Sequence, residues 1–360
     1  QIRIEPIEKQ QRDRRHGEFW VGRYPALAEL KSKYQINARN IKELDEFLLA
    51  KKETLLHRSE DNTLDALIPA HEKDHQLTVA LSELRLIKDE YEITQMRKAV
   101  NATIRGFADV VKSLPEAMEN PRGERVIDGT FYRRARIDGN ELGYNTIAAA
   151  GAHACVLHWI RNDGPALSGD LLLLDAGVEV ESHYTADLTR TLPINGKFTA
   201  AQREIYQLVL AAQEAGIQAV KPGAKYRDIN NACMRVLAEG LAKLGVLTVS
   251  AEESLDPNVG IHRRWSVHAS GHMLGIDVHD CAKARGEQYL DGELAVGHVL
   301  TVEPGLYIQP DDLLFPEEYR GIGIRIEDDV LVTEDGVEVL SRELPRDPDS
   351  LESWMRSLLQ

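Results

Sequence analysis

Residues 171–191 read LLLLDAGVEVESHYTADLTRT, and this stretch decides the fold of the chain. Four consecutive leucines are too few to cross a membrane, and they predict a buried strand that ends at Asp175. Ala176 and Gly177 predict a turn, and the returning segment brings a second carboxylate, Asp187, opposite the first. Two aspartates that face each other across a hairpin are costly to keep ionised unless a cation lies between them. Taken alone, however, the pattern is more often a turn aspartate and a solvated aspartate at a strand end.

The composition is typical of a globular protein with few cysteines and an excess of acidic residues. The 360 residues are 43% hydrophobic and 28% charged, with a formal net charge of −15. This length predicts about two to three domains, and the negative charge argues against nucleic acid or an anionic membrane surface as a partner. The cysteines are three in number and show no C-x-x-C spacing, which predicts a reducing, cytoplasmic compartment. We recognise no signal-peptide pattern in the first residues, and the sequence begins with Gln1 instead of Met, which suggests a processed, tagged or truncated start.

A change of pattern near residue 82 divides the chain into two predicted domains. Residues 1–82 combine helix-like apolar spacing with charged outer faces, and they predict a small α/β domain or part of one. Between Leu81 and Glu119, apolar residues recur every three or four positions. That spacing predicts a long amphipathic helix at the start of the second domain, residues 83–360.

Residues 71–75, HEKDH, match the H-E-x-x-H signature of helical zinc proteases. Pro69 lies just ahead, the flanking residues supply no long amphipathic helix, and a third ligand at the usual spacing is missing. We therefore interpret this match as fortuitous.

Residues 265–280, WSVHASGHMLGIDVHD, are the stretch richest in potential ligands. Its glycines predict irregular or extended structure instead of a helix. Near neutral pH, histidine is the side chain best suited to binding metal or moving protons, so the candidates here are His268, His272 and His279. His158, in the segment LHW, is a weaker candidate from local sequence, because a lone histidine beside apolar neighbours is more often part of a core.

Two further carboxylates accompany apolar strands. Glu303 ends the predicted strand VLTV at residues 299–302, and Glu327 lies within the predicted strand of residues 321–332. A glutamate among isoleucine and valine must be at an exposed edge or be compensated by a partner. The repetition of strand and carboxylate indicates two related halves.

The pattern therefore yields four carboxylates and one imidazole as candidate ligands: Asp175, Asp187, His272, Glu303 and Glu327. This set suits a pair of Mn²⁺, Fe²⁺, Co²⁺ or Zn²⁺ ions better than one structural zinc ion, which would favour cysteine. Four carboxylates offset two dications. In such sites the ions lie about 3.5–4 Å apart and activate a shared water.

Four motifs, DAG…TADLTRT, HASGHMLGIDVHD, EPGLY and RGIGIRIEDDVLVT, occur in this order between about Leu81 and Glu343. Together they resemble the aminopeptidase P and prolidase family of pita-bread metallopeptidases, and DVHDCA and LHW are especially similar to bacterial Xaa-Pro aminopeptidases. The resemblance implies an α+β, pita-bread catalytic domain with two related halves around a curved antiparallel sheet. It also implies a creatinase-like N-terminal domain, which residues 1–82 are too short to complete. Asp175 and Asp187 are one residue further apart than is usual in the family, which implies a bulge or a longer turn.

The resemblance assigns the metal ligands. Asp175 would bind one ion, His272 and Glu303 would bind the other, and Asp187 and Glu327 would bridge both. The expected cofactors are two divalent metal ions, with Mn²⁺ favoured over Co²⁺, Zn²⁺ and Fe²⁺.

The resemblance also assigns catalytic roles. His158, His268 and His279 would orient the scissile carbonyl and stabilise the developing oxyanion. Glu303 would act as a general base, and Arg325 would orient the carboxylates.

The implied activity is removal of the N-terminal residue from peptides with proline at position two, by attack of a dimetal-bridging hydroxide. Peptides would be the partners, with no nucleic acid and no membrane, and the chain would form a homodimer or homotetramer. Tyr307 would either line the substrate pocket or serve packing.

Several alternatives remain. Prolidase, which cleaves only Xaa-Pro dipeptides, is the second candidate, and a methionine aminopeptidase-like enzyme or a non-catalytic peptide-binding module of the same fold is less favoured. Five intact ligands argue against the metal-free creatinases and against a binding module. Gly321 and Gly323 do not continue as G-x-G-x-x-G, and no G-x-S-x-G is present, which argues against nucleotide binding and serine hydrolysis.

Overall fold

The structure, a computed structural model, describes residues 20, 22–23, 25–49, 55–58 and 68–360. The chain divides into two compact units, residues 1–78 and residues 79–360. The first unit contains helices α1 (Leu27–Tyr34) and α2 (Leu44–Leu49), with a 3₁₀ turn at Ile41–Glu43. Helix α3 (Asp74–Leu84) runs across the division. The identity of residues 1–82 as a partial creatinase-like domain stays a prediction, since much of that segment lies outside the described residues.

The H-E-x-x-H match does not form a helical metal site. Helix α3 begins at Asp74, so His71 lies before the helix and His75 lies within it. The Asp74 carboxylate accepts the His71 N–H (3.0 Å) and the Arg58 Nε–H (2.9 Å), so it serves to organise the start of the helix.

The first half of the larger unit packs two helices beside an antiparallel sheet. Helices α4 (Glu90–Glu119) and α5 (Gly123–Asp138) pack against each other, and α4 begins with a capping box between Asp89 and Glu92. The strands that follow are β1 (Glu141–Leu142), β2 (Ile147–Ala150), β3 (Leu171–Ala176), β4 (Val178–Glu179) and β5 (Leu188–Pro193). Strand β3 lies between β2 and β5, and β1 pairs with β4.

The second half repeats this arrangement. Helices α6 (Ala200–Ala219), α7 (Tyr226–Lys243) and α8 (Ala251–Leu255) precede strands β6 (Val299–Val302), β7 (Gly305–Tyr307), β8 (Gly323–Arg325), β9 (Asp328–Thr333) and β10 (Gly336–Val339). Helices α6 and α7 pack together, β9 lies between β6 and β10, and β7 pairs with β8. The C-terminal helix α9 (Pro348–Leu359) ends the chain. Together the two halves form the α+β pita-bread fold that the resemblance implies, and the pairings of the named strands are antiparallel.

The leucine run is a buried strand, as its pattern predicts. Leu171–Leu174 are each 3% exposed or less. Leu172 and Leu174 belong to the main core, whereas Leu173 packs in a second cluster with Ile147 and Tyr307. Because alternate residues of a strand share a face, Asp175 lies on the face of Leu173, which is the face of the second cluster.

The predicted turn at Ala176 and Gly177 is wrong in position. Strand β3 continues through Ala176, and the pairing register is unchanged from Ala176 opposite Leu188 to Glu179 opposite Thr185. The chain reverses at residues 181–183, where His183 donates its N–H to Val180 O and adopts a left-handed φ of 68°. Of the two expected possibilities, a bulge or a longer turn, the structure shows the longer turn. The strands that carry the two aspartates pair without a bulge.

The predicted strand of residues 321–332 is interrupted. Strand β8 ends at Arg325 and β9 begins at Asp328, and Glu327 forms an isolated bridge with Thr189. This bridge joins the two halves of the fold. In the described parts of the chain, no helix is long and apolar enough to span a membrane.

Candidate active site and metal centre

The predicted site residues surround one cavity of about 540 Å³ in the larger unit. Nine of the side chains that line it are residues singled out from the sequence: His158, Asp175, Asp187, His268, His272, His279, Glu303, Arg325 and Glu327. They come from both halves of the fold, between β2 and β9. The apolar part of the wall includes Ile147, Leu157 and Ile160.

Three potential ligands already have the spacing that one ion requires. Single ligand atoms of Asp187, His272 and Glu327 lie within 4.8 Å of one another. The His272 Nδ1–H donates to Met273 O (3.1 Å), which directs Nε2, the nitrogen that could bind a metal ion, towards the carboxylates. This Nε2 lies 3.3 Å from Asp187 Oδ2 and 3.5 Å from Glu303 Oε1.

The other two carboxylates adjoin this group. Glu303 follows β6 directly, and Oε1 accepts a 3.5 Å hydrogen bond from Thr301 Oγ1. Asp175, at the end of β3, pairs with the Arg325 guanidinium through Oδ2. Arg325 is 3% exposed, and its Nε donates to Thr189 Oγ1 (3.2 Å). Its position fits the predicted role of orienting carboxylates.

Clustering of buried carboxylates disfavours their charged forms. Burial, reinforced by Asp187, raises the pKa of Glu303 to about 7 and that of Glu327 well above its usual range. Burial also raises the pKa of Asp175, although Arg325 opposes the shift. Burial works against the charged form of His272, but its bond to Asp187 and the charge of Glu303 raise its pKa to about 9. A site that resists carboxylate ionisation in this way is one that bound cations would stabilise.

The donor set therefore fits divalent ions. Oxygen donors outnumber the single imidazole nitrogen, and the described residues bring no cysteine to the cavity, which suits Mn²⁺, Fe²⁺, Co²⁺ or Zn²⁺ in a catalytic site.

The candidate substrate-side histidines differ in their surroundings. His158 and His279 are exposed to the cavity, so His158 is not part of a core. Burial and the neighbouring His272 lower the pKa of His279. His268 is already engaged: Nδ1 donates to Ala269 O (2.8 Å), and Nε2 accepts the Tyr307 hydroxyl (2.7 Å). Burial, with Arg325, lowers the pKa of His268 to about 4, so its ring is neutral near pH 7.

Tyr307 does not line the cavity. It is 3% exposed, and its hydroxyl accepts from Arg325 Nη1 (2.9 Å) while donating to His268. Of the two roles considered for Tyr307, packing is therefore the one that the structure supports, together with a link between Arg325 and His268.

Sequence reasoning missed Tyr144. Its hydroxyl contacts Oδ1 of both Asp175 and Asp187, and it lies in the cavity wall. A tyrosine just before a short apolar strand carries no local signal of this role. Only the antiparallel register, which places Ile147 opposite Asp175, brings Tyr144 to the hairpin.

Two other partners follow strand periodicity. Thr189, two residues after Asp187, donates its hydroxyl to Glu327 Oε2 at 2.6 Å and so compensates that buried glutamate. Asp329, two residues after Glu327, accepts the Asp187 N–H at 3.2 Å. Burial, reinforced by Asp187, raises the pKa of Asp329 well above its usual range. A period of two from a candidate ligand was the available signal for both.

This combination of fold and site defines a class of enzyme. Residues 94–334 match metallopeptidase family M24, and the chain belongs to that family. The chain is 55% identical over 346 residues to Xaa-Pro aminopeptidase 1 of Streptomyces coelicolor, a match that covers 95% of this chain and 70% of that protein.

Solved structures agree. Zinc-substituted aminopeptidase P of Escherichia coli, in complex with product, superposes with a TM-score of 0.86 at 31% identity, over 99% of this chain and 82% of that chain. Aminopeptidase PepP of Pseudomonas aeruginosa gives a TM-score of 0.84 at 32% identity, over 99% and 82% of the two chains.

Proposed function

We propose that this metallopeptidase removes the N-terminal residue from peptides with proline at position two. The observation that carries the proposal is the convergence of five potential ligands and three histidines on one cavity. The names of its relatives point to the same activity. We propose a cytoplasmic location from the three free, buried cysteines and a homodimeric or homotetrameric assembly from the family resemblance.

Two divalent ions, preferably Mn²⁺, would occupy this site. Asp175, Asp187, His272, Glu303 and Glu327 would hold them, with Asp187 and Glu327 placed to be shared between the two. When bound, the pair would supply Lewis-acid polarisation of the substrate carbonyl and a water of lowered pKa.

The remaining groups of the chain bind and orient the peptide. The free α-amine pairs with the carboxylates, and Glu303 accepts a proton at a carboxylate oxygen as general base. His158 and His279 hydrogen-bond the scissile carbonyl from the exposed side of the cavity. To hydrogen-bond a substrate oxygen, His268 would have to release Tyr307 and carry its ring proton on Nε2 instead of Nδ1. Arg325 holds Asp175 in place. Because proline has no N–H, recognition of its ring falls to the apolar wall, which includes Leu157 and Ile160.

The decisive experiment compares a tripeptide and a dipeptide on metal-restored protein. The protein is stripped with chelator and restored separately with Mn²⁺, Co²⁺ or Zn²⁺, and hydrolysis of Xaa-Pro-Pro and Xaa-Pro is followed. We expect metal-dependent release of Xaa from the tripeptide. Cleavage of the dipeptide alone would identify a prolidase instead, and equal cleavage of Xaa-Ala-Ala would contradict the proline requirement.

A further inference from the structure

A further buried acid, Glu124, lies outside the cavity wall and has no assigned role. It is in the first turn of helix α5 and is fully buried. Four N–H groups donate to its carboxylate. Oε1 accepts from Ala150 N (2.8 Å) and His153 Nδ1 (2.8 Å), and Oε2 accepts from Trp159 Nε1 (2.9 Å) and Gly164 N (2.6 Å).

All four donors belong to residues 150–164, the segment that leaves β2. This segment has a 3₁₀ helix at Gly151–Cys155 and no regular structure from residue 156 onward, and it carries His158 into the cavity wall. Leu157 and Ile160 line the same cavity. An irregular segment has few backbone hydrogen bonds to fix it, so side-chain bonds decide its conformation. Its donors bracket His158 on both sides.

The packing around Glu124 is as close as the hydrogen bonding. The His153 ring stacks on the Trp159 indole at 3.8 Å between centroids and 21° between planes. A Cβ atom added to Gly164 would lie 2.5 Å from His153 Cε1 and 3.0 Å from Glu124 Oε2, so only glycine allows this approach. The Glu124 N–H in turn donates to Gly164 O (3.1 Å).

We propose that Glu124 is a positioning residue that fixes the substrate-side segment 150–164 and thereby places His158. This inference rests on the proposed function, in which His158 contacts the peptide carbonyl. A carboxylate is required because four donors need an acceptor-only group. Glutamine has nearly the same shape, but its NH₂ would face N–H donors and leave them without an acceptor.

The test is a double-mutant cycle between Glu124→Gln and His158→Ala. In the wild-type background, Glu124→Gln lowers kcat/KM for an Xaa-Pro-Pro peptide by about 10- to 100-fold, the range seen when a supporting partner of an active-site group is lost. In the His158→Ala background the same substitution costs less than about 3-fold, because the group that it places is already absent. Bound metal per chain is the same in all four proteins.

Two further variants complete the design. Trp159→Phe keeps the stacked ring and removes one of the four donors. It lowers kcat/KM less than Glu124→Gln does, and this loss also disappears in the His158→Ala background. Glu352→Gln is the matched control: Glu352 is 8% exposed, and its Oε1 accepts from Phe198 N and Arg203 Nη2. It lies in α9 outside the cavity wall, so its substitution leaves kcat/KM unchanged.

The outcomes separate this inference from the proposed function. Full activity of Glu124→Gln, or an equal loss with and without His158, overturns the positioning role. If the wild-type protein does not cleave Xaa-Pro peptides, the proposed function fails. Amide hydrogen exchange of Glu124→Gln and the wild type then tests whether Glu124 fixes the segment. Faster exchange confined to residues 150–164 in Glu124→Gln supports the inference, and unchanged exchange there overturns it.

Discussion

Replacement of Arg190 by lysine tests how the second half of the fold holds Glu327 in place. Arg190 is fully buried in β5. Its guanidinium donates five hydrogen bonds, to Pro345 O (2.9 Å), Thr189 O (2.9 Å), Glu327 O (2.6 Å), Asp328 Oδ1 (2.7 Å) and Leu344 O (2.9 Å). Two of these acceptors belong to the candidate ligand Glu327 and its neighbour, so the guanidinium fixes the main chain that carries the ligand.

The magnitude follows from counting donors. A lysine ammonium donates three hydrogen bonds, so at least two of the five acceptors lose this donor. Thr189 O and Asp328 Oδ1 keep a second donor, Glu327 N–H (3.1 Å) and the Ser341 hydroxyl, so the loss is that of two hydrogen bonds and not of two unsatisfied acceptors. At about 0.5–1.5 kcal/mol for each lost bond, Arg190→Lys should lower the free energy of unfolding by about 1–3 kcal/mol. Displacement of the Glu327 main chain should also weaken Mn²⁺ binding by about 10- to 100-fold.

The assay is urea denaturation of the chelator-treated protein, followed by tryptophan fluorescence, with Mn²⁺ affinity measured by chelator competition. Arg227→Lys is the control, because Arg227 pairs with Asp291 at the surface, where both side chains are more than half exposed. Such a pair contributes about 0.5 kcal/mol or less. A loss below about 1 kcal/mol for Arg190→Lys would refute the reasoning, since it would mean that the five bonds are dispensable.

Four other substitutions have defined outcomes. His279→Ala should retain bound metal and lose most of kcat, because His279 faces the cavity without being a ligand; unchanged kinetics in a steady-state assay would remove it from the reaction. Gly177→Ala should lower both stability and activity, since its Cβ would lie 1.8 Å from Ala186 O within the aspartate hairpin. Gly129→Ala, in helix α5 with no atom near the new Cβ, should stabilise by about 0.5–1 kcal/mol, and thermal unfolding compares the two. Burial lowers the pKa of His298 from 6.5 to about 4. Between these two pH values the unfolded chain binds a proton at His298, whereas the folded chain does not. The free energy of unfolding is therefore unaffected by His298 above pH 6.5 and falls by up to about 3 kcal/mol as the pH is lowered to 4. Between pH 7 and pH 5, urea denaturation should show a smaller loss of unfolding free energy for His298→Gln than for the wild type. Equal losses in the two proteins would contradict the role given to His298.

Much of the fold could be predicted because it depends on local patterns. The leucine run and the long helix α4 both follow from local apolar patterns. The turn of the aspartate hairpin was misplaced because Gly177 directly follows the apolar run, and glycine is a usual turn residue. The observed turn instead uses a left-handed His183, which propensity does not favour.

The candidate carboxylate ligands were accessible from the sequence because each adjoins or interrupts an apolar strand, where an acid is conspicuous, and His272 was accessible because it lies in a histidine-rich stretch. Their supporting groups were not. Tyr144 reaches two aspartates through strand register, Thr189 reaches Glu327 across the junction of the halves, and Glu124 meets donors up to 40 residues away. Contacts between distant segments of this kind depend on tertiary packing: strand periodicity places Thr189 on the face of Asp187, but no local pattern identifies the distant partner of any of these three residues.

Anomalous diffraction from crystals grown with Mn²⁺ tests most directly whether one dinuclear centre exists. We expect two peaks about 3.5–4 Å apart, both bounded by Asp175, Asp187, His272, Glu303 and Glu327. A single peak, or a second peak outside this group of side chains, would contradict the account.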